Sequence, residues 1–345
     1  MKVLIVGGGV AGISLFERLL ADRQDVFLLD RGINACSSAA AGMINPIAFR
    51  SMSKSWRADE LIPCLKSFYR QMEENVQARF FHAVPIRRLF DSMKEMDLWK
   101  KKESSTEFGA YLNPLTEEDL SYSLAPGEFG SGRVGESYWV NAKLFIPLSL
   151  KWIAGMERLI EADLNYDEID PKAPAYKGVR YDKIVFCEGA HSRENPWFKH
   201  LPIHATKGET LTIKSDFLPE SESLNRKCFA VPIEPKTFRI GATYAWHSYD
   251  AAATEAGRLE LEEKLACFSR EPYDLIAQEA GIRPTTPDRR PILGQHHIHR
   301  SLHIFNGLGT KGYMLAPLLA EEFADFLIRG HALSSEVDLC RFREA

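Results

Sequence analysis

The sharpest chemical signal lies near the beginning of the chain, where Gly7, Gly9 and Gly12 stand in VGGGVAG at the spacing G-x-G-x-x-G. In this pattern the first glycine permits a tight turn and the second lets a pyrophosphate approach the backbone. The third lets the following helix lie close to the preceding strand. Asp30 closes the next apolar run, about where a carboxylate is needed to accept the ribose hydroxyls of an adenosine. The chemistry indicated is dinucleotide binding, and the motif does not separate FAD from NAD. The competing reading is a plain β-turn-α unit with an incidental glycine run.

A second cluster, His296, His297, His299 and His303, has the residue type of a metal site. It falls between two expected strands, where a surface hairpin is the usual structure, and neither Cys nor Glu completes a sensible ligand set. No metal is expected. No G-x-S-x-G nucleophile elbow occurs.

The elements around the glycines are those the motif requires. Val3 to Val6 form a short apolar run suited to a parallel strand buried on both faces. From Val10 to Ala21, Ile13, Phe16 and Leu20 recur at helical spacing. Val26 to Leu29 reads as a second strand. Gly32 to Asn45 is rich in small residues and suits a loop pressed against a ligand. Helices are expected over 54–76, 92–101, 142–156 and 255–268, with a short one after Asn113 in the polar stretch 104–128. Strands are expected over 80–90 around Pro85, over 131–140 and over 159–169. Lys183 to Phe186 reads as a further parallel strand ending on a Gly-containing turn. Glu209 to Ile213 alternates as a strand, and 228–233 with 237–244 reads as a hairpin. The NGLGTKG loop, Asn306 to Gly312, follows a strand at 302–305 and opens a helix over 313–328.

With 345 residues, 45% hydrophobic and 26% charged, the chain has an ordinary globular composition and room for two joined domains. A net charge of −4 argues against a nucleic-acid partner. The basic runs Arg87-Arg88, Lys100 to Lys102 and Arg289-Arg290 are short, flanked by acids, and read as solvated faces. Six scattered cysteines without a C-x-x-C pair suggest free thiols in a reducing compartment. The apolar start is broken by glycines, unlike a signal peptide, and no run is long enough to span a bilayer. A cytoplasmic location is expected. Nucleotide-binding pieces occur early, midway and late, which implies two interleaved domains. A simple nicotinamide dehydrogenase more often keeps its nucleotide domain contiguous.

Taken together, VGGGVAG with Asp30, SSAAAGMINP, GIRPTTPDRRPILG and NGLGTKGYMLAP resemble the D-amino acid oxidase family of FAD-dependent oxidoreductases. KIVFCEGAHS and KGETL add to the likeness. Within that family, glycine oxidase and the oxidase half of the bifunctional tRNA wobble-modification enzyme look nearest. The resemblance implies an α/β fold: a Rossmann-like FAD-binding domain on a parallel sheet, interleaved with a smaller α+β substrate domain on a mixed or antiparallel sheet. The expected division gives residues 1–80, 141–205 and 282–345 to the first, and 81–140 and 206–281 to the second.

The resemblance also implies a non-covalent FAD, since no cysteine stands near Ile282 or Thr310 where relatives with covalent flavin carry one. Asp30 and Arg31 would meet the adenosine. Gly7, Gly9, Val10, Ala11 and Gly12 would surround the pyrophosphate at the helix N-terminus, where amides and the dipole favour anions. Ser37, Ser38, Ala41, Gly42 and Met43 would lead to the isoalloxazine, while Leu164, Cys187, Glu188 and Gly189 would close the adenine side. Leu308, Gly309, Thr310, Lys311 and Gly312 would approach the flavin N1/C2=O edge, with Lys311 tuning its potential.

Arg283 would bind the substrate carboxylate, as a guanidinium grips one bidentately and fixes its orientation. The structural alternative pairs Arg283 with an acid such as Asp288. Tyr138, Tyr244 and Trp246 are pocket candidates. The reaction implied is oxidation of a C–N bond in a small amino acid or amine, by hydride transfer to flavin N5, with oxygen or an unknown carrier as acceptor. Rival readings are a hydroxy-acid dehydrogenase feeding a carrier, action on a modified tRNA base, and a non-catalytic flavin-binding scaffold.

Overall fold

The computed structural model describes residues 1–32, 35–124 and 129–342. Positions 33 and 34 of the small-residue stretch and 125–128 of the polar stretch lie outside the described residues. Two sheets draw alternately on the chain. The first has six strands in the order Leu159–Glu161, Asp25–Asp30, Lys2–Val6, Lys183–Phe186, Leu302–Asn306 and Ile292–Gln295. All neighbours run parallel except the last pair.

Side-chain alternation assigns the central strand to two cores. Val3 and Ile5 join the helices Val10–Ala21, Ala58–Val76, Ala142–Gly155 and Gly312–Arg329 on one face. Leu4 and Val6 join Tyr176, Tyr181, Phe186 and Phe198 on the other, under a small three-stranded sheet over 169–180. The glycines fix the joint between strand and helix. Gly7 has φ +107°, and a Cβ on Gly12 would lie 1.9 Å from the Gly7 carbonyl oxygen. The close approach predicted from the motif is therefore physical.

The second sheet has eight strands. Its main partners are His204–Lys214, Thr237–Gly241, Phe229–Glu234, Ser223–Asn225, Ile86–Leu89 and Ser131–Val134. Asp274–Thr285 pairs along the far side of His204–Lys214, with Arg283 opposite Thr206, Gly281 opposite Gly208 and Glu279 opposite Thr210. Only the Ser223–Asn225 and Ile86–Leu89 pair is parallel, so the sheet is mixed. Leu211 and Ile213 pack with Leu261, Leu265 and Phe268 of the helical segment that begins at Glu255. The strand Asp274–Thr285 also touches the short helix Ala35–Ala39.

Three expectations need correction. The single strand over 131–140 is two strands in different sheets, because Glu136 takes a left-handed φ of +48° and turns the chain. The small-residue loop contains the helix Ala35–Ala39 and the strand Met43–Ile44. The helix expected from Lys54 begins at Ala58, after Arg57 at φ +53°. No helix among the described residues is long and apolar enough to cross a membrane.

Candidate cofactor cavity and active site

The parallel strands deliver their C-terminal ends to a cavity of about 430 Å³. Strand order reverses direction around Lys2–Val6, the position at which such sheets open a crevice. Gly7, Gly9, Val10 and Ala11 line it from the first turn, Asp30 and Arg31 from the second strand, and Ser37 from the small-residue segment. Leu164, Cys187, Glu188, Gly189 and Leu308 complete the predicted residues on its wall. Ser38, Ala41, Gly42, Met43, Gly309, Thr310, Lys311 and Gly312 do not line it, and Gly12 lies beneath the turn.

Asp30 is held firmly at the cavity wall. Gly8 N donates to its Oδ1 and Gly32 N to its Oδ2, both at 2.8 Å. Gly8, an unconstrained position in the motif, is required here: a Cβ would stand 2.9 Å from Asp30 Cγ and 2.8 Å from Leu150 Cδ2. The helix that starts at Val10 has Gly9 as its N-cap and no side-chain cap. Val10 N donates to Ser37 Oγ at 3.2 Å. Backbone donors at such a terminus suit an anion.

The small-residue segment is pinned through its carbonyls. Tyr313 OH donates to Ser37 O at 2.8 Å, Trp139 Nε1 to Ala41 O at 2.9 Å and Val140 N to Gly42 O at 2.9 Å. Arg239 Nη1 adds a bond to Ala39 O at 3.4 Å. Gly42 has φ +70°, and a Cβ there would meet Val140 O at 1.9 Å.

Sequence reasoning missed the support behind Glu188. Tyr166 OH donates to Glu188 Oε1 at 2.6 Å, and Asn195 Nδ2 to Oε2 at 2.8 Å. Burial pushes the carboxyl up to about 7, against the lowering effect of those two bonds. Asn306 was within the recognised NGLG text, but its task was not legible. Its Nδ2 donates to Gly189 O at 2.9 Å and ties two strand ends together.

Arg283 sits on the second sheet, with its guanidinium over Gly208, where a Cβ would come within 1.8 Å of Nη2. Its Nη1 donates to Thr243 O at 3.3 Å, and its Cζ lies 5.6 Å from the Tyr244 ring centroid. Among the described residues it makes no salt bridge. The proposed alternative partner, Asp288, instead receives Arg341 Nε at 3.0 Å. Burial lowers the Arg283 pKa, opposed by Cys36 and Tyr244. Cys36 lines the cavity, and its thiol is pushed up to about 11 by burial.

Tyr244 and Trp246 form an exposed edge-to-face pair with centroids 5.2 Å apart. Tyr138 belongs elsewhere: it is buried, stacked on Phe81, and its OH donates to Glu136 at 2.6 Å. Lys311 Nζ donates to Asn45 O at 3.5 Å and to the Ser55 hydroxyl. Burial pushes its ammonium down to about 8. Three of the four histidines come together: the His296 ring stacks on His297 at 4.7 Å and on His299 at 5.1 Å, and its Nδ1 accepts from Ile298 N and His299 N in a tight turn. His303 is apart, buried in the strand Leu302–Asn306 against Phe323 and Phe326. Among the described residues, no group of three potential ligands could hold a metal.

A Rossmann-like nucleotide cavity beside a mixed sheet that presents an arginine without an acidic partner among the described residues defines a dinucleotide-dependent class. The profile described as DAO, FAD dependent oxidoreductase, matches residues 2–326, and the chain belongs to this family of FAD-dependent oxidoreductases. Glycine oxidase of Pseudomonas aeruginosa is 26% identical over 359 residues, covering 94% of each chain. The tRNA 5-methylaminomethyl-2-thiouridine biosynthesis bifunctional protein MnmC of Thiobacillus denitrificans is 24% identical over 98% of this chain and 58% of its own length. The crystal structure of glycine oxidase from Geobacillus kaustophilus superposes with a TM-score of 0.83 at 21% identity, over 100% of this chain and 98% of that one.

Proposed function

We propose that the enzyme oxidises the C–N bond of a small amino acid or amine carrying a carboxylate, giving an imine that water hydrolyses. The observation that carries this reading is Arg283, half-buried over Gly208 and without an acidic partner among the described residues. A guanidinium partly withdrawn from water in that state suits an anion. The likeness to glycine oxidases supports a small amino acid as its source.

The cavity residues fit FAD. The helix N-terminus behind Gly9 suits a pyrophosphate, and Asp30 brings a carboxylate to the cavity wall where a ribose would lie. Glycines 7, 8 and 12 allow approaches that any side chain would block. FAD, when bound, supplies the acceptor for the hydride and its two electrons. The protein's share is placement. Arg283 grips the carboxylate bidentately and so fixes the Cα–H direction, with the Tyr244 ring centroid 5.6 Å from the guanidinium carbon. Lys311, at the N-terminus of Gly312–Arg329, places a positive charge beside Asn45. We hold the cofactor to be non-covalent. The domain division is 1–80, 141–205 and 282–345 against 81–140 and 206–281. The location is cytoplasmic, and the electron acceptor is oxygen or a carrier.

The test is an anaerobic titration of the purified flavoprotein with glycine, other small amino acids and N-methylated amines, followed by visible absorption. Bleaching by one of them, lost in Arg283→Ala, is expected. Bleaching by a hydroxy acid alone would overturn the C–N reading. Readmitted air then separates oxidase from dehydrogenase.

A further inference from the structure

The end of the parallel sheet opposite the cofactor cavity carries a second, more open pocket, of about 700 Å³. Lys2 begins one central strand, while Asp182 and Ser301 stand just before Lys183–Phe186 and Leu302–Asn306. These three strands run parallel, so the three residues share one end of the sheet. Gly7, Cys187 and Asn306 line the cofactor cavity at the other. The remaining wall of the second pocket comes from the small three-stranded sheet, at Lys172 and Arg180, and from the turn at His299 and Arg300.

Hydrogen bonds hold these walls together. Lys2 N donates to Asp182 Oδ2 at 2.6 Å, Tyr181 N to Pro174 O at 2.8 Å and Ser301 Oγ to Pro171 O at 3.5 Å. Gln295 Nε2 donates to Arg300 O and fixes the turn.

The charge of the pocket is one-sided. Lys2, Lys172, Arg180 and Arg300 line it, and the lining residues include one carboxylate, that of Asp182. None of the four cations makes a salt bridge among the described residues. The acids beside them accept backbone donors: Asp182 from Lys2 N, and Asp170 Oδ1 from Lys172 N and Ala173 N. The Lys2 ammonium lies 5.1 Å from the Phe27 ring centroid and 5.3 Å from that of Tyr181. Four like charges around one hollow repel one another, and a bound anion offsets that repulsion.

We propose that this pocket binds a compact ligand bearing two or more phosphate groups, as an anion site separate from the cofactor cavity. An arginine fork matches phosphate oxygens bidentately and a lysine adds a point charge, so two of each suit several phosphates better than one carboxylate. The cations surround a hollow from separate segments, whereas a nucleic-acid surface would lay them along a stripe. The proposal does not depend on the reading of Arg283.

The test uses the FAD-loaded enzyme, so that phosphates cannot enter the cofactor cavity. Sulfate, phosphate, pyrophosphate, tripolyphosphate, ATP and a short RNA oligomer are titrated by calorimetry into the parent, Arg180→Gln, Arg300→Gln and the double variant. Affinity is expected to rise from phosphate through pyrophosphate to tripolyphosphate, and to weaken as ionic strength goes from about 0.02 M to about 0.3 M. Each single variant should bind tripolyphosphate about fivefold more weakly and the double variant about twentyfold, the scale of exposed charge pairs. Flavin content and turnover should match the parent's, since neither arginine lines the cofactor cavity. Tighter binding of ATP than of tripolyphosphate would identify a nucleotide as the source, and equal binding the phosphate chain alone. Tripolyphosphate affinity unchanged in the double variant overturns the site. Sulfate binding as tight as tripolyphosphate, or RNA binding without either polyphosphate, overturns the ligand class.

Discussion

The Arg239 guanidinium meets the Glu279 carboxylate at 2.7 Å across the strand His204–Lys214, each residue projecting from a strand on either side of it. Arg239 is almost wholly buried, and burial lowers its pKa. Glu279 is more open and also receives Lys143 at 2.9 Å. The same guanidinium holds Ala39 O, which links the eight-stranded sheet to the helix Ala35–Ala39.

Arg239→Met is therefore expected to lower stability by about 1–3 kcal/mol, below the range for a fully buried broken pair because Glu279 retains Lys143 and solvent. FAD affinity should fall with it, as the Ala35–Ala39 segment loses an anchor. Urea unfolding and a flavin fluorescence titration measure both. Full FAD affinity in a destabilised variant would show that the anchor does not reach the cofactor.

Glu188 sets a pH dependence of unusual sign for a carboxyl group. Its pKa is raised in the fold, to about 7 from an ordinary 4.5. Its favourable contribution is thus complete below about 4.5 and is lost as pH rises through 7. Glu188→Gln should remove that loss, so variant and parent diverge progressively from pH 5 to pH 8, by up to about 3 kcal/mol. Urea midpoints at the two pH values decide it, and parallel curves would refute the assignment.

Lys311 should lose its proton as pH rises through about 8. If its charge stabilises reduced flavin by about 1–2 kcal/mol, Lys311→Met lowers the two-electron midpoint potential by about 20–40 mV. In the parent the potential should show an inflection near pH 8 that the variant lacks. A variant with the parent's potential and inflection would place the lysine out of electrostatic reach.

Gly8 and Gly32 both donate to Asp30, yet they should respond differently to alanine. At Gly8 the Cβ collides with Asp30 itself, whereas at Gly32 nothing lies within 4 Å and only the positive φ of +79° resists. Gly8→Ala should weaken FAD binding at least tenfold. Gly32→Ala should cost about 1 kcal/mol of stability and little affinity. Dissociation constants from flavin fluorescence separate the two cases, and equal effects would mean that Asp30 is less constrained than its bonds imply.

What the sequence disclosed follows from the range of the interactions involved. The unit from Lys2 to Asp30 was legible because its strand, turn and helix are local, although Gly7 and Gly8 also abut the distant Cys187 and Leu150. Ser131 to Val140 was misread because the left-handed turn at Glu136 falls on a residue that normally avoids it. Arg239 was concealed inside an apolar strand, and its partner lies forty residues away (279 − 239). For Lys311 the text located the loop correctly, but only the side-chain contacts give the ammonium's direction toward Asn45. Glu188 lay in a recognisable strand-and-turn, while Tyr166 and Asn195, which define its chemistry, carried no motif.

Placing Lys2–Val6 at the centre of its sheet also constrains biosynthesis. That strand is made long before its neighbour: one of its edges is covered only when Lys183–Phe186 arrives, and that strand in turn waits for Leu302–Asn306. At about 5–20 residues per second the interval to Phe186 is roughly 10–40 s, during which an apolar strand edge is open to other chains. The cavity wall is incomplete until Asn306 and Leu308 have been made, so the cofactor cannot be enclosed before then.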